Sequence, residues 1–182
     1  QIYTPVNGEI IPLENVPDPV FNQKMMGEGV AIMPSKGNIC APVEGTIIQI
    51  ANTKHAIGIL AEDGTEILIH VGLETVALKG EGFTVAVNMG DKVAVGQLLI
   101  EVDWEYIRAH AKSTVTPIVI TNSHDGDKQY TLTEEKEGQM GKTVIITASV
   151  KWYTIKYSEY KEITSDENNE DTEQQCCYSN GW

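Results

Sequence analysis

His55 and His70 stand on either side of Asp63-Gly64, next to the apolar runs Ile57-Gly58-Ile59-Leu60 and Ile67-Leu68-Ile69. Asp-Gly between two such runs is a hairpin signal. A two-residue turn of the primed type would pair Glu62 with Thr65 and Ile57 with His70. Because strand side chains alternate with period two, Thr53, His55 and Ile57 would then share a face, and His55 becomes the diagonal neighbour of His70, with Cβ atoms about 7–8 Å apart. Two imidazoles on one patch suit phosphoryl transfer. A neutral ring with a pKa near 6.5 is a competent nucleophile at neutral pH, and the phosphoramidate it forms stays reactive enough to pass the group on. One ring attacks and the other steadies charge; spacing alone leaves open which does which. A single histidine on a strand would be an ordinary core or surface residue, so the pairing carries the reading.

The remaining reactive side chains are less suggestive. His110 falls on a short helical stretch and His124 in the polar loop Asn122-Ser123-His124-Asp125-Gly126, and both are expected outside the site. Cys40 lies in an apolar run and Cys176-Cys177 are adjacent, which gives neither a disulfide framework nor Cys-x-x-Cys metal spacing and points to a reducing compartment. Two rival chemistries share these strands. Lys54, with the strand entry Gly90-Asp91-Lys92-Val93-Ala94-Val95-Gly96-Gln97-Leu98, resembles a biotinyl or lipoyl carrier, but the acceptor motif of such carriers is missing. A zinc peptidase would need two histidines and a carboxylate around the metal, and the His-x-His pair of those enzymes is also missing.

The elements that must position the histidines are strands. The first 150 residues are short runs rich in Val, Ile and Thr, broken by Gly, Asn-Gly, Asp-Gly and Pro, the pattern of an all-β sandwich or barrel. One helix is expected at Trp104–Ala111, capped by Asp103 and with Trp104, Ile107 and Ala111 on one face. Pro5-Val6-Asn7-Gly8-Glu9-Ile10-Ile11 recurs as Pro42-Val43-Glu44-Gly45-Thr46-Ile47-Ile48, and Gly27-Glu28-Gly29-Val30 is echoed by Gly80-Glu81-Gly82-Phe83, so two related β units are expected. Residues 1–150 form the expected domain. Residues 151–182 form an acidic extension, expected to be disordered or weakly docked, whose stretch Ser165–Gln175 has no apolar residue to anchor a core.

At 182 residues and 41% hydrophobic, the chain can bury one ordinary core. A net charge of -13, with only 13 Lys and Arg, argues against nucleic acid and favours basic protein partners. Residues 158–182, with seven acidic side chains against Lys161, hold about half of that excess. No apolar run is long enough to span a bilayer and the start lacks a signal-peptide pattern. The expectation is a cytoplasmic protein without direct membrane insertion. Gln1 in place of an initiator Met keeps open a longer parent, in which this chain would be the soluble domain of a membrane permease.

From about Val6 to Val150 the chain resembles the glucose-class IIA domains of the phosphoenolpyruvate-dependent sugar phosphotransferase system. The resemblance is carried by Val16-Pro17-Asp18-Pro19-Val20-Phe21, Gly27-Glu28-Gly29-Val30-Ala31-Ile32-Met33-Pro34, Ala41-Pro42-Val43-Glu44-Gly45-Thr46-Ile47 and Thr53-Lys54-His55-Ala56. It continues in Ile69-His70-Val71-Gly72-Leu73-Glu74-Thr75-Val76, Leu78-Lys79-Gly80-Glu81-Gly82-Phe83 and Lys112-Ser113-Thr114-Val115-Thr116-Pro117. It implies an antiparallel β-sandwich of the duplicated hybrid motif with short helices. His70 would be phosphorylated on Nε2, His55 would be its companion and Thr53 a site threonine. The resemblance also implies an apolar docking collar of Val20, Phe21, Met25, Met26 and Leu68, with Asp18 and Glu74 at an acidic rim. Glu74 is a longer carboxylate than the Asp common at that position. The implied partners are the histidine-containing phosphocarrier protein, which supplies the phosphoryl group, and the cysteine of a IIB domain or IIBC permease, which receives it. No metal or organic cofactor is implied.

Overall fold

A computed structural model describes residues 1–151, so the expected extension lies, beyond Lys151, outside the described residues. In chain order the strands are β1 (Ile2–Tyr3), β2 (Asn7–Pro12), β3 (Glu28–Lys36), β4 (Ile39–Cys40), β5 (Gly45–Ile50), β6 (Ala56–Ala61) and β7 (Glu66–His70). They continue as β8 (Phe83–Val85), β9 (Lys92–Val93), β10 (Leu98–Val102), β11 (Thr116–Ile120), β12 (Lys128–Leu132), β13 (Glu137–Gly138) and β14 (Val144–Val150). The α-helices are α1 (Pro19–Asn22) and α2 (Trp104–His110), and 3-10 turns cover Leu13–Asn15 and Thr75–Leu78. Asp103 caps α2, accepting from the Tyr106 amide, and Ile107 is its buried side chain.

An eight-stranded sheet in the order β13-β2-β3-β11-β7-β6-β5-β9 is accompanied by two three-stranded sheets, β1-β14-β12 and β4-β10-β8. Neighbouring strands pair antiparallel. The main core draws Ile10, Ile32, Ile57 and Ile69 from the large sheet, Ile146 from one small sheet and Ile100 from the other, all at most 5% exposed. This is the all-β antiparallel architecture with short helices that the sequence implies.

The large sheet reads symmetrically outward from the β11–β7 pair, with β3, β2 and β13 on one side and β6, β5 and β9 on the other. The repeated segments place Gly8 in β2 and Gly45 at the start of β5. A Cβ on Gly8 would lie 2.1 Å from the Met33 carbonyl oxygen of β3, and one on Gly45 would lie 2.4 Å from the Leu60 carbonyl oxygen of β6. The repeat thus conserves a close approach between neighbouring backbones that any side chain would block.

The β6–β7 hairpin departs from the expected register by one residue. Ala56, not Ile57, lies opposite His70, and Ile57 lies opposite Ile69. The cause is the loop. Ala61 bonds Thr65 through N–H to O (2.9 Å), the Gly64 amide returns to the Ala61 carbonyl, and Gly64 has φ 83°. That is a three-residue connection with a left-handed glycine rather than a two-residue primed turn. The Asp63 carboxylate accepts from the Thr65 amide at 3.0 Å and so stabilises the longer loop.

Candidate functional site

With this register, Leu68 and His70 of β7 share the face of the sheet turned away from the main core, while Ile67 and Ile69 point into it. That outer face carries a second apolar cluster of Leu13, Val16, Phe21, Ala31, Ala56, Leu68, Leu73, Val115 and Val119. Small residues floor it. Ala56 is opposite His70, and Gly58 opposite Leu68.

His55 precedes β6, so strand alternation does not place it. Lys54 takes φ 59°, its amide bonds the Ala51 carbonyl at 2.8 Å, and the His55 carbonyl accepts from the Val71 amide at 2.7 Å. This turn brings the His55 ring to 4.7 Å from that of His70, centroid to centroid, at an interplanar angle of 73°. The two imidazoles meet, although by a different route from the diagonal pairing expected of a regular hairpin.

Each ring has one nitrogen occupied. His70 Nδ1–H donates to the Gly72 carbonyl at 2.8 Å, which leaves the Nε2 lone pair free. Gly72 has φ 74°, and a Cβ there would lie 2.6 Å from Thr75 Cγ2 and 3.0 Å from the Ser113 carbonyl oxygen. Thr75 is fully buried and donates its hydroxyl to the Val71 carbonyl at 2.8 Å, which fixes the loop that follows β7. Thr53 Oγ1 lies 2.7 Å from His55 Nδ1. With the hydroxyl donating, His55 carries its proton on Nε2 and can present an N–H to an anion held by His70.

The electrostatics favour neutral rings. His55 is 7% exposed, and burial first, then the neighbouring His70, push its pKa down to about 4. Burial also lowers the pKa of His70, partly offset by the Gly72 carbonyl and by the charge of Asp18. Both imidazoles are therefore unprotonated at neutral pH, the state a nucleophile needs.

Phe21 packs edge-on against His70, with centroids 5.1 Å apart. It reaches there on α1, a single turn started by Asp18, whose carboxylate accepts from the Val20 amide at 2.9 Å, with Pro19 at the first helical position. Asp18 thus caps the helix that carries Phe21, and its charge also acts on His70. Leu68 is buried beneath the same face. Val20, Met25 and Met26 are 40%, 68% and 37% exposed and form apolar surface on and after α1. Glu74, left-handed at φ 58°, stands 3.9 Å from Lys112 at the exposed edge. The structure places His110 on α2, stacked on Tyr106, and His124 in an exposed loop.

Gly72 and Lys112 belong to the surroundings of His70 but were not singled out by residue type. A glycine directly after an apolar strand that ends in histidine is the signal for the first. For the second, the sequence offers its place at the head of the family-like run Lys112–Pro117 and no role. Among the described residues no group of three or more His, Cys, Asp or Glu gathers to hold a metal ion. Among them, too, no helix is long and apolar enough to cross a membrane.

Residues 1–126 match the family model described as phosphoenolpyruvate-dependent sugar phosphotransferase system, EIIA 1. The PTS system glucose-specific EIIA component of Halalkalibacterium halodurans is 49% identical over 150 residues, covering 82% of this chain and 86% of the relative. The PTS system glucose-specific EIICBA component of Staphylococcus saprophyticus is 55% identical over 124 residues, which cover 68% of this chain but 18% of that longer protein. Among solved structures, glucose permease IIA from Mycoplasma capricolum superposes with a TM-score of 0.75 at 38% identity, covering 80% of this chain and 93% of that one. The chain belongs to the EIIA 1 family of the phosphoenolpyruvate-dependent sugar phosphotransferase system. It is a phosphocarrier of sugar uptake, a transferase component that works through a phosphohistidine.

Proposed function

We propose that His70 is the residue that accepts the phosphoryl group and that His55, held by Thr53, stabilises it. The observation that carries this reading is the bond from His70 Nδ1–H to the Gly72 carbonyl, which leaves one free lone pair, on Nε2, next to a second neutral imidazole. Nε2 attacks phosphorus of the phosphohistidine on the histidine-containing phosphocarrier protein. The new N–P bond forms as the donor's N–P bond breaks and its electron pair returns to the donor ring. In the second transfer a IIB thiolate attacks, the S–P bond forms as the His70 Nε2–P bond breaks, and the electron pair returns to Nε2, leaving the His70 ring neutral. The moving group is loose and its charge lies on equatorial oxygens, so the protein contributes in-line placement and N–H donation. His55 Nε2–H supplies that donation.

Val20, Met25 and Met26 form the exposed part of the docking collar, with the buried Phe21 and Leu68 backing it, and Asp18 and Glu74 form the rim that meets a cationic partner. Plastic methionines suit a surface that receives two partners in turn. We assign the activity to residues 1–150 and none of it to 151–182. The names of the relatives make glucose the first sugar to test. Incubation with phosphoenolpyruvate and the two general phosphotransferase proteins should load one acid-labile phosphate, and a glucose-class IIB domain should then discharge it. No loading, or loading that IIB cannot discharge, contradicts this reading.

A further inference from the structure

Two stretches far apart in sequence touch His70. The loop after β7 supplies the Gly72 carbonyl, and the segment around α1 supplies the Phe21 ring and the Asp18 charge. Both must be held relative to the ring if its Nε2 is to be aimed. Val16, Phe21, Leu73 and Val115 share one apolar cluster, which holds the stretches together, but hydrophobic burial is non-directional. A helix of four residues does not fix its own position either.

Direction comes from Lys112. Its backbone amide donates to the Leu73 carbonyl at 3.2 Å, and the Leu73 amide donates to the carbonyl of Ser113 at 2.9 Å, which fastens Lys112 to the Gly72 loop. Its Nζ donates to the Pro17 carbonyl at 2.9 Å, directly before the Asp18 cap. The Glu74 carboxylate is 3.9 Å from the same ammonium, beyond hydrogen-bond range, so the carbonyl is the principal partner.

We propose that Lys112 is a positioning residue for phosphoryl transfer, tying the segment that carries Asp18 and Phe21 to the loop that carries the Gly72 carbonyl. The proposal rests on His70 as the acceptor. A rim lysine that acted only through its charge would oppose a cationic partner, and its removal would tighten docking and leave the chemistry untouched. A positioning lysine acts on the bound complex, because small misplacements of the reacting groups cost rate rather than affinity.

The test is single-turnover transfer from the phosphorylated phosphocarrier protein, followed by rapid quench over a range of donor concentrations. Lys112→Met should lower the limiting rate about tenfold, ~1.4 kcal/mol, with the half-saturating concentration unchanged or lower. Lys112→Arg, which can still donate to the Pro17 carbonyl, should restore most of the rate. Amide exchange at Val20 should quicken in Lys112→Met and not in Lys112→Arg, and this local reading stands even if Lys112→Met is less stable overall. A limiting rate equal to wild type, a loss that Arg does not restore, or unchanged Val20 exchange overturns the proposal. His70→Ala serves as the control: if it still accepts phosphate, the acceptor assignment fails, whereas a normal rate in Lys112→Met overturns the positioning role alone.

Discussion

Lowering the pH should destabilise the protein through His55 in a way that can be isolated. Its pKa is about 6.5 in an unfolded chain and about 4 in the folded one, depressed by burial and by His70. The folded state therefore resists protonation while the unfolded state binds a proton, so this contribution is fully present above pH 6.5 and is lost as the pH falls toward 4. Linkage gives a loss of roughly 1.4 kcal/mol by pH 5.5 and ~3 kcal/mol by pH 4, with one pKa unit worth about 1.36 kcal/mol. The assay is urea denaturation from pH 4 to 8 on the wild type and on His55→Gln. Carboxylates titrate in both proteins, so the difference between the two curves reports His55 together with its coupling to His70. The wild type should lose about 3 kcal/mol more than the variant over that range. Parallel curves would show that His55 is not held neutral by its burial, and the electrostatic account of the site would fall with it.

Three further outcomes follow from the same geometry. Gly72→Ala should cost more stability than Gly90→Ala in urea denaturation: both glycines have positive φ, but a Cβ at Gly72 collides with Thr75 and Ser113 whereas one at Gly90 meets nothing within 4 Å; the control should lose about 1 kcal/mol and Gly72→Ala more. Phe21→Ala should weaken binding to the phosphocarrier protein more than Glu74→Gln, which should cost less than about 1 kcal/mol, because Phe21, 5% exposed and packed on His70, holds α1 and its exposed Val20 in place whereas Glu74 is a loosely paired exposed carboxylate; a calorimetric titration that ranks the two variants in the opposite order would refute the collar. Deleting residues 158–182 should leave the melting temperature and phosphoryl acceptance nearly unchanged, and a loss of acceptance would give that segment a part in the site.

The fold class was legible because its signals are local. Alternating Val and Ile runs, closely spaced turn residues and the Asp103 cap each act over a few residues, and they appear as strands, turns and α2. The site was legible in its members and only partly in its geometry. Asp63-Gly64 marks a turn in either case, but the choice between a two- and a three-residue loop depends on the Asp63–Thr65 bond and the left-handed Gly64, and that choice shifts the register by one residue. His55 reaches His70 through a left-handed Lys54 and the Val71–His55 backbone bond, which no period-two pattern encodes. The α1 turn was not read, although Asp18-Pro19 carries its signal, a cap followed by a proline at the first helical position. Lys112 had none: its tie to Pro17 joins residues 95 apart and exists only once the segment between α2 and β11 meets the one before α1.

The account depends most on which imidazole is phosphorylated. After loading from phosphoenolpyruvate under alkaline quench, peptide mapping of the acid-labile phosphate should place it on the fragment containing His70. His70→Ala should carry no phosphate, and His55→Gln, which keeps an N–H donor at similar reach, should accept phosphate but pass it poorly to IIB. Phosphate mapped to His55, or a His70→Ala protein that still loads, would contradict the assignment.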